Sequence, residues 1–149
     1  MLLFLDFDGV LHPDPCYREV ELFAQRPRLE AVLRDFPAVD IVVSSTWRET
    51  RSLEQLRAHF SNDIGKRIIS VTPYWYELPQ LQDVVGNFPR HVEIEGWRRQ
   101  SGRIWEPWVV IDDRPYWFRP FLKNLIVCDP ATGIDDQAEK ALRRSLSRP

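Results

Sequence analysis

Cysteine is scarce in this sequence, and it contains no long apolar run, no internal repeat and no linker rich in glycine and serine. Each shortage closes off a class. A membrane helix needs roughly 18 consecutive apolar residues, and no stretch comes near that, so the chain reads as soluble. Cys16, in a polar stretch, and Cys128, at the end of an apolar one, have no metal-ligand spacing around them and read as free thiols. The opening MLLFLDFDGVL is interrupted by acids and has no basic leader, so it does not read as a secretory signal, and a cytoplasmic location is expected. With no shift in composition, residues 1–149 are expected to form one domain, large enough to bury a core without staples. The formal charge is −2, with no basic tail or stripe of the kind that grips long nucleic acid through many phosphates. Room is left for a few local contacts.

What is present is an alternation of short apolar runs and helical periodicity. Residues 2–5 form an apolar run ended by Asp-Phe-Asp-Gly, which suits a strand buried on both faces. Residues 11–27 carry Pro13, Pro15 and Pro27 and read as a loop or flap, after which Leu29, Val32, Leu33 and Phe36 give residues 28–36 a helical spacing. A second unit follows, with a strand over 39–43 ended by Ser44-Ser45-Thr46 and a helix over 49–60 marked by Leu53, Leu56 and Phe60. Residues 68–71 read as a third strand, 72–76 as an aromatic loop, and 92–97 as the middle of a helix starting after Pro89. Strands over 108–111 and 125–128 and a helix over 134–146, basic towards its C-terminal end, complete the pattern. Alternation of this kind predicts an α/β fold with a mainly parallel sheet covered on both faces.

In such sheets ligands sit beyond the carboxyl ends of the strands. Three apolar strands here end in polar groups: Asp6 and Asp8, Ser44 and Ser45, Asp112 and Asp113. Residues two apart on an extended segment point to the same side, so Asp6 and Asp8 are expected to face one reacting group. An ionised Asp6 suits a nucleophile and metal ligand. Asp8, pressed against other acids, is expected to have a raised pKa and to donate a proton to a leaving oxygen. Gly9 permits a sharp turn. Four clustered acids need a neutralising cation, and an all-oxygen site facing a phosphate suits Mg²⁺.

DFDGVLH, VVSSTW and VVIDDRP, in this order, resemble motifs I, II and IV of the haloacid dehalogenase (HAD) superfamily. The resemblance implies a three-layer Rossmann-like core and a phosphatase in which Asp6 forms an aspartyl-phosphate. It makes Asp8 the general acid and base, with its backbone carbonyl on the metal. Ser44, or Ser45 beside it, becomes the hydroxyl that binds the phosphate. Asp112 becomes a direct metal ligand, with Asp113 acting through water or orienting the ligands. The Ile-Asp-Asp-Arg-Pro run is similar to the deoxyribonucleotidase version.

Motif III is normally a Lys or Arg near the start of the helix before motif IV, and no Lys fits. Arg90 follows Pro89 and lies 22 positions before Asp112, with Arg98 and Arg99 as alternatives. Only 35 residues separate Asp8 from Ser44 and only 21 separate Arg90 from Asp112, too few for the usual substrate-selecting cap. A capless core resembles members that act on bulky phosphomonoesters, and Glu93, Ile94 and Trp97 with the SSTWR run are similar to the HAD domain of bacterial RNA-repair proteins. A nucleotide or nucleic-acid terminal phosphate is the first expected substrate; sugar phosphates, phosphoproteins and a non-catalytic module that holds phosphorylated RNA or a protein partner are the rivals. The aromatics Trp47, Tyr74, Trp75, Tyr116 and Trp117 follow strand ends or lie in loops, where they serve packing or offer a surface for a base. His12, just past the nucleophile loop, is expected to be structural or exposed.

Overall fold

A computed structural model describes residues 1–148. Strand β1 (Leu2–Leu5) lies at the centre of a five-stranded sheet with β2 (Asp40–Val43), β3 (Ile68–Val71), β4 (Trp108–Asp112) and β5 (Leu125–Val127) in the order β3-β2-β1-β4-β5. Every pairing is parallel, as the alternating pattern predicts. The chain builds outward from β1 to β2 and β3, then returns across β1 to β4 and β5. The reversal falls between β1 and β4, where the crevice of a doubly wound sheet opens.

Strand pleating sorts the core into two layers. Leu3, Leu5, Ile41, Val43, Val109 and Ile111 face one side, where they meet Leu29, Val32 and Leu33 of α1 (Arg26–Asp35) and Ala138, Leu142 and Leu146 of α6 (Asp136–Leu146). Leu56 of α2 (Leu53–Arg57) and Ile64 of α3 (Asn62–Gly65) join the same layer. Leu2, Phe4, Val42 and Val110 face the other side and pack on Ile94, Trp97 and Phe118. That side is covered by α5 (Pro89–Gln100), against which α4 (Pro79–Val85) packs. No helix of the described residues is long and apolar enough to cross a membrane.

Several boundaries differ from those the sequence predicts. Helix α1 starts at Arg26, with Pro27 inside its first turn, where a missing N–H costs nothing. The helix expected over 49–60 is divided. A 3-10 turn (Thr46–Glu49) is capped by Ser45, and α2 then begins afresh at Ser52, whose hydroxyl and Gln55 form a reciprocal capping box. Two local caps interrupt the run of apolar spacings. Helices α3 and α4 fall in stretches without strong periodicity, and the 11–27 loop carries a 3-10 turn (Glu19–Glu21).

Arg67 ties the C-terminal end of α1 to the sheet. Its guanidinium donates to the carbonyls of Leu33, Phe36 and Val39 at 2.7, 2.6 and 3.0 Å, adding to the backbone amides that the first two already accept. Losing three charge-assisted bonds loosens that tie, so Arg67→Ala is expected to cost about 2 kcal/mol in urea unfolding, with activity per folded molecule unchanged.

Candidate active site

The strand registers determine where the polar strand ends meet. Leu5 pairs with Val43 on one side and Ile111 on the other, so the next residues, Asp6, Ser44 and Asp112, stand abreast. The ladder continues through them: Asp6 N–H donates to Ile111 at 3.2 Å and Ser44 N–H to Leu5 at 3.0 Å. By alternation all three side chains share the α5 face with Phe4, Val42 and Val110. Ser45 points to the opposite face and accepts the Trp47 amide as a cap, which leaves Ser44 as the free hydroxyl. Ser44 Oγ is buried without a partner.

Asp6, Asp112 and Asp113 each bring a carboxylate oxygen within 4.8 Å of the others, and all three residues are buried. Burial pushes the Asp6 carboxyl well above the usual range and Asp112 adds to it, with Arg90 opposing. Burial likewise pushes Asp112 up to about 6 against the pull of Arg90. Asp112 Oδ2 and Asp113 Oδ1 have no hydrogen-bond donor. Buried, repelling oxygens short of hydrogen-bond donors are what a hard cation relieves, so the donor set fits Mg²⁺. Gly9 allows this packing: at φ +75 it turns the chain, and a Cβ there would stand 2.2 Å from Asp113 Oδ2.

Of the three candidate arginines, only Arg90 reaches the cluster. It lies in the first turn of α5, 3% exposed, with Nε 3.4 Å from Asp112 and Nη1 3.3 Å from Glu93. Its ion pair is made with Asp112 rather than Asp6, which feels it only through its field. Arg98 is tied to Glu95 and the Ile104 carbonyl, and Arg99 is exposed. Glu93 anchors Arg90 and in turn receives Arg48 Nη2 at 2.7 Å and the Trp75 amide at 3.1 Å. Arg48 also donates to the carbonyls of Ser45, Thr72 and Pro73. This buried Arg-Glu-Arg chain joins the ends of β2, β3 and α5. Glu93 and Arg48 stand in the EI-x-x-W and SSTWR stretches, but nothing in a linear pattern marks them as an anchor.

Asp8 departs from expectation. Its carboxylate lies outside the acidic cluster, 37% exposed, and accepts from His12 Nε2 at 2.8 Å and Trp47 Nε1 at 2.9 Å on the same oxygen, Oδ1. The predicted rise in its pKa is reversed: the His12 hydrogen bond holds the carboxyl below its ordinary value, against partial burial and with help from Trp47. Asp8 therefore cannot share a carboxylate cation site. Only its main chain could do so. His12, expected to be structural or exposed, is 1% exposed and bonded to Asp8.

Fold and site together define a HAD-superfamily domain. More narrowly, the chain belongs to the family described as the HAD domain in Swiss Army Knife RNA repair proteins, which matches residues 2–138. No curated protein and no solved structure matches the chain.

Crowding three acids destabilises the metal-free protein, so Asp6→Asn should stabilise it by on the order of 1 kcal/mol in chelator. The same substitution should remove most of the stabilisation that added Mg²⁺ gives the wild type. Thermal melts with and without the ion check both signs.

Proposed function

We propose that this domain is a Mg²⁺-dependent phosphomonoester hydrolase that works through an aspartyl-phosphate on Asp6. The observation that carries this reading is the cluster at the sheet's switch point, where three buried carboxylates lie within 4.8 Å of one another, with buried Arg90 against Asp112 and the unpartnered Ser44 hydroxyl on the adjoining strand end. Asp6, Asp112, Asp113 and the Asp8 carbonyl would hold the ion. When bound, Mg²⁺ supplies positive charge to the phosphate oxygens and cancels the repulsion among the acids.

Asp6 attacks phosphorus while Ser44 Oγ donates to a phosphoryl oxygen and Arg90, fixed by Glu93, neutralises charge as it builds. The leaving oxygen takes a proton from Asp8. Water then displaces phosphate from Asp6, giving its proton back to Asp8. The lowered pKa of Asp8 leaves it ionised for this second half and works against the first, in which it must carry a proton.

A nucleotide or a nucleic-acid terminal phosphate is the substrate best supported. The family's description places its members in RNA repair proteins. An aromatic ladder also stands past the end of β3: Tyr74 and Tyr76 stack at 5.4 Å with planes 3° apart, Arg48 lies 4.7 Å beneath Tyr74, and Tyr76 is 62% exposed. A base can continue such a stack. Sugar phosphates and phosphoproteins would not use it, and a panel of phosphorylated oligonucleotides and metabolites separates these classes.

Asp6→Asn should abolish Mg²⁺-dependent phosphate release from p-nitrophenyl phosphate without unfolding the protein. A near wild-type rate in that variant would sink the covalent mechanism, whereas a wild type that releases no phosphate would favour the non-catalytic binding module. Arg90→Ala should lower kcat by about 100-fold, as for losing a positioned charge. Arg90→Lys should keep part of the rate, because Lys restores the charge but not the fork that spans Asp112 and Glu93.

A further inference from the structure

The segment between β1 and α1 is too short to cover the site, yet it makes an elaborate contact with it. His12 is fully enclosed, and both ring nitrogens are used. Nδ1 faces the Phe23 amide at 3.4 Å and accepts from it, so the ring proton sits on Nε2 and is donated to Asp8 Oδ1 at 2.8 Å. Phe23 reaches this position with φ at 57, a left-handed conformation unfavourable for a bulky residue. The Phe23 ring stacks on His59 at 4.6 Å and meets the edges of His12 and Trp47 at 5.2 Å each. Trp47 closes the arrangement from β2's side, donating Nε1–H to the same Asp8 oxygen at 2.9 Å.

Two donors on one oxygen have a definite consequence. With Oδ1 occupied twice, Asp8 cannot turn about Cβ–Cγ without breaking both bonds, and only Oδ2 remains to exchange a proton. We propose that Phe23, His12 and Trp47 form a clamp that fixes the Asp8 carboxylate so that Oδ2 alone serves as the proton-transfer atom. On this view His12 and Trp47 are positioning residues. The inference rests on the aspartyl-phosphate reading. In the affected step the water O–H bond breaks with its proton going to Asp8 Oδ2, the water oxygen bonds to phosphorus, and the phosphorus–Asp6 oxygen bond breaks, releasing phosphate and the Asp6 carboxylate.

Two measurements test the clamp. In nitrogen-edited NMR of the metal-free protein, the His12 Nε2–H and Trp47 Nε1–H protons should exchange slowly with solvent, and both resonances should move in Asp8→Asn. A His12 proton on Nδ1, or an indole signal indifferent to Asp8→Asn, would overturn the clamp. In rapid-quench kinetics with radiolabelled aryl phosphate, His12→Leu should lower kcat by about 10- to 100-fold with KM unchanged, as for misplacing a reacting group. Phosphoenzyme should accumulate, because displacement by water is slowed most. His12→Gln, which restores an N–H donor, should recover much of the rate. Should His12→Leu fail to fold, Trp47→Phe keeps most of the aromatic packing and removes one donor from the same oxygen, with a smaller kcat loss of the same kind. Folded variants that all turn over at the wild-type rate would refute the positioning role. A wild type that turns over nothing, with the NMR signature intact, would refute the phosphatase reading and the positioning role with it.

Discussion

Three carboxylates on neighbouring strand ends, buried and facing one another, are the constraint on which the rest of this molecule turns. Hydrophobic packing alone would not assemble them. Leu2, Phe4, Val42 and Val110 fix the register of three parallel strands, and that register delivers Asp6, Ser44 and Asp112 to one level on one face. The favourable burial of the strands thus supports an unfavourable concentration of charge at their ends. Asp113 joins only because Gly9 has no side chain to keep it out.

Positive charge enters the same region from the opposite layer, and its placement is equally constrained. A free arginine beside three acids would bind whichever carboxylate it could reach and close the site. Arg90 pairs with Asp112 alone, because Glu93 holds the other end of the guanidinium. Glu93 is itself fixed by Arg48, whose remaining donors go to carbonyls at the ends of β2 and β3. Burial lowers the pKa of Arg48, with Glu93 opposing, a sign that its charge is tolerated only through these partners. The chain of ions is a means of holding one guanidinium at a chosen distance rather than a source of stability.

Much of this was legible in the sequence because it depends on periodicity and local chemistry. An apolar run ending in Asp-Phe-Asp-Gly marks a strand and its exit, and the same logic locates Ser44 and Asp112. Arg90 was legible through Pro89, which starts a helix at a defined point. The break between the 3-10 turn and α2 was not, since Leu53, Leu56 and Phe60 keep their helical spacing while Ser45 and Ser52 cap two separate turns. Nor was the partner of Asp8. Alternation along an extended strand places Asp6 and Asp8 on the same side, but the chain turns at Gly9 and hydrogen bonds within the Phe7–His12 loop, so the two carboxylates part company. His12 Nε2 and Trp47 Nε1 then decide where Asp8 points, and a contact between positions 8 and 47 has no signature in composition or spacing.

On the proposed mechanism the separation of the two motif I acids divides their work. Asp6, as nucleophile and ligand, would stand in a dry, charged cluster, where a cation lowers the cost of its ionised form. Asp8, as proton carrier, would stand clear of the ion with one carboxylate oxygen left for exchange. Placing Asp8 at the rim, partly exposed and held by the His12 and Trp47 donors, satisfies one of its oxygens outside the acidic cluster. On the proposed mechanism the loop that supplies His12 and Phe23 takes part in the chemistry through Asp8, although it contributes no group that need touch the phosphate.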